Sequence, residues 1–292
     1  MLLTGATGAV GSQLLPLLLE SGHQIRCLVR EPRRLGERRV NVQITLGDLA
    51  ELSDPYRLRQ ALRGVDTVVH LAATIRDQPP KRLEELNGLA TVRLLRAAEQ
   101  SGVERFVFFS AINASRTQRT RFFRAKALAE EAVATSALDS TVFAPSIVYD
   151  HSDPWITLLR RFSFLPVMPV SGSGQARYQP IWAHDVARSV VAALHGGKRD
   201  RYELAGPDTY SYDEISDLVS RASGRPRPLL HIPLPVVRGG LIALRKVFGE
   251  AVFATWEEAE LMEVPMVTER GTADAEELGV QPRRMAEVLA KS

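Results

Sequence analysis

The chain's 292 residues are enough for one large α/β domain with a smaller appendage and too few for two full independent domains. Its composition, 45% hydrophobic and 24% charged, is that of an ordinary globular protein and excludes a disordered or fibrous chain. The net charge of +3, from 37 Lys+Arg against 34 Asp+Glu, is too small to point to a nucleic-acid partner, and the single cysteine, Cys27, excludes an internal disulfide.

Apolar runs of strand length alternate with helical patterns through the first half, at Met1–Thr4, Gln24–Val29, Val42–Leu46, Thr67–Leu71, Phe106–Phe109 and Ser140–Ala144. Parallel strands need crossover connections, so this alternation predicts a doubly wound α/β Rossmann-type parallel sheet covered on both faces. Pro16 falls inside the first helical pattern, where it removes one backbone bond and should bend the helix. Asp54-Pro55 reads as a helix cap followed by a first-turn proline, with Gly64 closing that helix. Leu83, Leu86, Ala90, Leu94 and Ala97 recur at spacings of three and four and predict a helix over 81–100 lying on the sheet. Asp185 is expected to cap a helix over 186–194. Ser211 and Glu214 form a capping-box pattern for a helix that stops near Gly224.

From Tyr149 onward proline and glycine become frequent, at Pro154, Pro166, Pro169, Gly172, Gly174 and the stretch 225–235. The expected division is a Rossmann domain over 1–148 plus 178–204 and a smaller C-terminal substrate or partner domain over 149–177 plus 205–292. The stretch 229–256 intersperses Val236, Val237, Leu241, Ile242, Leu244, Val247 and Phe248 with Arg238, Arg245 and Lys246. It reads either as a domain-packing helix or as an amphipathic surface for a membrane or partner, so peripheral membrane contact is a possible role. No apolar run approaches the ~20 residues of a membrane span, and no signal segment precedes the first motif. Cytoplasm is therefore the expected location, with a place at the edge of a membrane complex as the variant. The chain opens abruptly on its first strand, so a start a few residues upstream is expected.

The most informative segment is Thr4-Gly5-Ala6-Thr7-Gly8-Ala9-Val10-Gly11, between a strand and a helix. Its glycines permit a tight turn and close backbone approach, and the amides that open the helix face a pyrophosphate. The second strand then ends at Arg30, where NAD-specific folds place an acid for the ribose diol. Arg30, with Arg33 or Arg34, is suited to clamp a 2′-phosphate, which predicts NADP(H) in preference to NAD(H). Glu31 keeps the ribose-diol alternative open.

These residues, with Gly47-Asp48-Leu49 after the third strand and His70-Leu71-Ala72-Ala73 after the fourth, resemble the extended short-chain dehydrogenase/reductase family in order and spacing. Tyr202–Pro207 and Glu277–Pro282 are similar to its atypical branch, which includes NmrA-like redox regulators, the Rossmann accessory subunit of respiratory complex I and photosystem assembly factors. The resemblance implies that Asp48 and Leu49 border the adenine, that Leu71, Ala72 and Ala73 line the dinucleotide, and that Pro145, Ile147 and Val148 lie beside the nicotinamide. His70 is read as a packed strand-end histidine.

The family's proton donor is a tyrosine four residues before a lysine, with a hydroxyl residue at the preceding strand end. Here Lys126 is kept but the tyrosine position is Phe122, and either Ala111 or Ser110 takes the hydroxyl's place. Lys126 and Ser110 are thus the candidate catalytic residues, Lys126 also as a ligand of the nicotinamide ribose. Two functions fit this pattern. One is a cofactor-loaded binding, redox-sensing or assembly module with a protein partner. The other is an oxidoreductase passing hydride to a small hydrophobic acceptor such as a quinone, in a pocket lined by Phe122, Phe123 and Tyr149. No metal site is expected.

Overall fold

The computed structural model describes residues 1–49, 54–78, 81–197, 200–248 and 256–290. Its centre is a seven-stranded parallel sheet made of β1 (Leu2–Thr4), β2 (Arg26–Val29), β3 (Gln43–Leu46), β4 (Thr67–His70), β5 (Arg105–Phe109), β6 (Asp139–Pro145) and β11 (Arg201–Leu204). The spatial order is β11-β6-β5-β4-β1-β2-β3, so the chain reverses direction across the sheet between β1 and β4. In such sheets the crevice beyond the strand ends at this switch point takes the ligand.

Successive strand residues face opposite sides, and each side carries its own core. Leu3, Val69, Val107 and Phe143 pack against α1 (Ala9–Glu20) and α6 (Ala183–Gly196). Leu2, Val68, Phe106 and Val142 pack against α2 (Pro55–Leu62), α3 (Ala90–Gln100) and α4 (Arg121–Ala134). Each fully buried Leu or Phe here stabilises the fold by about 1.5–3 kcal/mol. This double cover confirms the Rossmann architecture expected from the sequence.

A third core holds Tyr149, Ile156, Met168, Tyr178, Ile215 and Met285. It is built from α5 (Pro154–Phe162), α7 (Tyr212–Ala222) and the short pairs β7 (Val148–Tyr149) with β10 (Ile181–Trp182), β9 (Arg177–Tyr178) with β12 (Tyr210–Ser211), and β8 (Met168–Ser171) with β13 (Leu229–Ile232). This core is separate from the two that cover the faces of the sheet. Ala275 and Val280, however, return to the sheet-side core.

Local signals behave as their chemistry requires. Asp54 accepts from the Tyr56 amide at 2.9 Å, and Ser211 and Glu214 close a full capping box. The helix α1 continues through Pro16, and the Ser12 carbonyl, four residues earlier, accepts from Arg38 Nη1 at 3.3 Å.

Three expectations are corrected. Asp185 does not cap α6, which begins at Ala183; it lies buried in the first turn and accepts from the Arg283 amide at 2.8 Å. The helix predicted over 81–100 is interrupted by a π-helical turn, Glu85–Leu89. The stretch 229–256 is not one helix: β13 takes its first residues and α8 (Leu234–Phe248) follows. Residues 249–255 and the side chains of Leu244, Arg245, Lys246, Val247 and Phe248 lie outside the described structure.

Candidate dinucleotide-binding site

Gly5 leaves β1 with φ +73°, and a Cβ there would lie 2.7 Å from the Ala72 amide nitrogen. At Gly11 a Cβ would meet the Gly5 carbonyl oxygen at 2.1 Å. Only glycine lets the turn fold this tightly onto β4 and onto α1. Gly8 caps α1 without a side chain, so the first-turn amides of the helix have no internal acceptor. Such amides, at the positive end of the helix dipole, fit a pyrophosphate.

The loop opens on a cavity of about 270 Å³. Of the residues expected to hold the cofactor, Gly5, Ala6, Thr7, Gly8, Arg30, Arg34, Asp48, Leu49, Leu71, Ala72 and Ala73 line it. Ala9, Val10, Gly11, Arg33, Lys126, Pro145, Ile147 and Val148 are not on its wall. Arg30 Nη1 lies over the cavity, 2.8 Å from Gln78 Oε1 and 3.8 Å from Asp48 Oδ2.

Gly47, quoted in the motif after the third strand, also lines the cavity, and sequence reasoning missed Leu28, Val29, Thr74, Gln78 and Leu86 there. The loop that carries Thr74 and Gln78 is held from outside itself. Asn87 accepts from the Thr74 amide at 2.9 Å and donates to the Thr74 carbonyl at 2.6 Å. Arg121 makes a forked contact with Asp77 at 3.0 Å and reaches Glu84 at 2.6 Å through Nε. These two carboxylates raise the Arg121 pKa further, and Arg121 in turn holds the Glu84 carboxyl below its usual range. Much of the basic run 116–126 is thereby committed internally, since Arg116 pairs with Glu131 and Arg124 donates to the Gln118 carbonyl.

His70 is a buried tie, as expected from its position at a strand end. The Thr91 hydroxyl donates to the Asn87 carbonyl at 2.8 Å, so the contact between His70 Nε2 and Thr91 Oγ1 at 2.9 Å takes its proton from the ring. His70 Nδ1 then accepts from the Thr4 hydroxyl at 2.7 Å, and Thr4 Oγ1 accepts from the Ala72 amide at 3.3 Å. One neutral tautomer satisfies the whole series, and burial lowers the His70 pKa to about 3. This series fastens the end of β1 to the start of the cavity loop.

The expected chemical end is arranged differently. Lys126 is buried, its Nζ donates to the Phe109 carbonyl at 2.7 Å, and it sits 5.0 Å from the centre of the Phe108 ring and 5.9 Å from that of Phe122. Burial lowers its pKa to about 7. The Ser110 hydroxyl donates to Glu130, which is bridged by Arg201 at 2.7 Å. Buried Ala111 and Phe123, with Phe122 against them, pack on Leu261 and Val264. Phe122, Phe123 and Tyr149 do not share a pocket, because Tyr149 is fully buried in the core of the smaller part. The segment that packs beside the half-buried Phe122 is fixed by donation from Asn113 Nδ2 to the Pro265 carbonyl at 2.7 Å and from the Ser146 hydroxyl to the Met266 carbonyl at 2.6 Å.

A parallel sheet with a glycine loop at its switch point defines the class, a Rossmann protein built to hold a dinucleotide. The chain belongs to the NAD(P)H-binding family, whose model matches residues 5–196. It is 31% identical over 249 residues to a photosystem II assembly factor of Cyanophora paradoxa, covering 80% of this chain and 72% of that protein. It is 28% identical over 253 residues to the mitochondrial NADH dehydrogenase (ubiquinone) 1 alpha subcomplex subunit 9 of Arabidopsis thaliana, covering 80% of this chain but only 60% of that relative's length. Among solved structures it superposes on a nucleoside-diphosphate-sugar epimerase of Staphylococcus aureus with a TM-score of 0.77 at 20% identity, covering 99% of each chain. A UDP-glucose 4-epimerase of Thermus thermophilus in complex with NAD gives 0.74 at 18% identity, covering 99% of this chain and 96% of that one. At these identities the two structures speak for the fold alone.

Proposed function

We propose that this chain is an NADP(H)-loaded binding module, occupied by the cofactor for structure or redox reporting and not for turnover, which presents its smaller part to a protein partner. The observation that carries the reading is the contrast between the two ends of the cleft. The adenosine end is open, with Arg30 and Arg34 on its wall. At the other end Phe122 stands where the acid belongs and the Lys126 amine is buried against the Phe109 carbonyl. A phenyl ring has no proton to give, and loss of a positioned acid costs about 10²–10⁴ in rate.

Arg30 and Arg34 would hold the 2′-phosphate, the loop amides the pyrophosphate, and Asp48 and Leu49 the adenine edge. The bound cofactor would supply the hydride chemistry or the redox signal. The relatives named as a complex I subunit and as an assembly factor support a role within a larger complex.

Calorimetric titration with NADPH and NADH tests the reading, followed by NADPH oxidation assays against quinones and aldehydes. NADPH is expected to bind about 10- to 100-fold tighter than NADH, with no turnover, because a charge-assisted contact contributes about 1.5–3 kcal/mol and Arg30 is half exposed. Arg30→Ser should abolish most of that preference and leave NADH binding within a few-fold. Equal affinities would refute the 2′-phosphate clamp. Quinone-dependent oxidation would instead establish the reductase alternative.

A further inference from the structure

The smaller part has a surface that the cofactor site does not use. Residues 154–176 contain Arg160 and Arg161 and no acid, and residues 218–249 contain six Lys or Arg and no Asp or Glu. In a chain of net charge +3, these two segments carry eight Lys or Arg and no carboxylate. The fold then brings them together. Strand β13 runs parallel to β8, with Leu230 opposite Pro169. The Met168 amide donates to the Pro228 carbonyl at 2.9 Å, Arg227 Nε donates to the Ser163 carbonyl at 3.0 Å, and the Arg225 guanidinium lies 4.1 Å from the centre of the Phe164 ring.

Large apolar side chains stand out between these arginines. Phe164 is 66% exposed, Leu165 45% and Leu230 49%, and on the helix that follows Val236 is 62% exposed. Exposed apolar residues gathered in one region mark a docking surface, whereas isolated ones do not. Arg161 and Arg225 are exposed, and among the described residues no carboxylate pairs with them or with the half-buried Arg227.

We propose that this face, the turn 163–167 with the start of β13 and the first turns of α8, docks on an anionic lipid surface. The chemistry favours lipid over an acidic protein because the apolar tips are interleaved with the arginines instead of forming a dry patch with a charged rim. At a lipid–water boundary Phe164, Leu165, Leu230 and Val236 enter the acyl margin while the guanidinium groups extend to the headgroup phosphates. Each arginine held near such a surface strengthens binding about fivefold. No described helix is long and apolar enough to cross a membrane, so the contact is one of lying on the surface. The inference is independent of which dinucleotide is bound.

Flotation of the full chain with phosphatidylcholine vesicles, with and without phosphatidylglycerol, tests it. Binding is expected only with the anionic vesicles and should weaken steeply in high salt. Phe164→Ser with Leu165→Ser should reduce it about tenfold or more through the lost apolar burial, and Arg161→Gln with Arg225→Gln about 25-fold. Both variants should retain NADPH binding and the wild-type melting temperature to within a few degrees, which separates loss of the surface from loss of the fold. No flotation with anionic vesicles would overturn the proposal. So would flotation that survives both pairs of substitutions, or binding to polyglutamate as strong as to vesicles with the Phe164 and Leu165 variant unaffected.

Discussion

Replacing Lys126 with methionine should stabilise the protein in mild acid and leave it little changed in alkali. The amine is 3% exposed, has the Phe109 carbonyl at 2.7 Å as its acceptor, and is pushed by burial from 10.5 to about 7, with Glu130 pulling partly the other way. The unfolded chain keeps the ordinary lysine value. Between about 7 and 10.5 the unfolded state therefore binds more protons than the folded one, and stability rises with pH through that window. Below the folded value both states carry the charge, so the full penalty of burying the ammonium is present. At 1.36 kcal/mol per unit this penalty is about 3–5 kcal/mol. Methionine fills similar volume without it, at a cost of about 1 kcal/mol for the Phe109 carbonyl left without its donor. Urea unfolding of both proteins should show the variant more stable by about 2–4 kcal/mol near pH 6, with the gap closing by about pH 10. A gap that does not change with pH, or a variant less stable in acid, would refute the claim that burial lowers the pKa of this amine.

The glycine turn and the buried histidine tie give two further tests. Gly11→Ala places a Cβ 2.1 Å from the Gly5 oxygen and 2.8 Å from Ala6 Cα, so the loop must shift; NADPH binding is expected to be lost in calorimetry while far-ultraviolet circular dichroism still reports a folded chain. Thr91→Val removes both the acceptor of His70 and the donor to the Asn87 carbonyl, and should cost about 1–3 kcal/mol in urea unfolding, with weaker NADPH binding because the tie from β1 through His70 to the start of the cavity loop is loosened.

The phosphate-binding turn was legible because its requirements are local. A positive φ at Gly5 and the closeness of Gly11 to Gly5 follow from a turn of that length between strand and helix. Arg30 was legible for the same reason, since the first residue past β2 must overhang the cleft. Thr74 and Gln78 were not, because what places them is Asn87 on a π-helical turn and Arg121 on another helix, contacts that no periodicity encodes. Asp185 misled because an acid before an apolar helical pattern is a capping signal, and only the tertiary contact with the Arg283 amide shows why it is buried within the first turn. The acceptor pocket expected from Phe122, Phe123 and Tyr149 fails on a similar point. Tyr149 lies beyond β6 in the core of the smaller part, and chain proximity to the cofactor segment does not fix the direction of a side chain.

The packing beside Phe122 decides how the missing acid should be understood. If the substitution at this position were the only change, Phe122→Tyr would restore a proton donor four residues before a lysine, and activity should return. The surroundings argue otherwise. A catalytic tyrosine needs a neighbouring ammonium to lower its pKa, yet the Lys126 amine is near half-neutral at physiological pH and is spent on the Phe109 carbonyl. A carbonyl substrate also needs space beside the ring, and the cluster against which Phe122 packs is closed by Leu261 and Val264 on Phe123 and Ala111, with Pro265 and Met266 pinned by Asn113 and Ser146. The Ser110 hydroxyl, the remaining candidate to polarise a carbonyl, is bonded to Glu130. Phe122→Tyr is therefore expected to bind NADPH as the wild type does and to oxidise it no faster, with any aldehyde, ketone or quinone offered. Turnover appearing with this one substitution would mean that the segment beside Phe122 yields to substrate. The chemical end of the cleft would then be gated, not sealed.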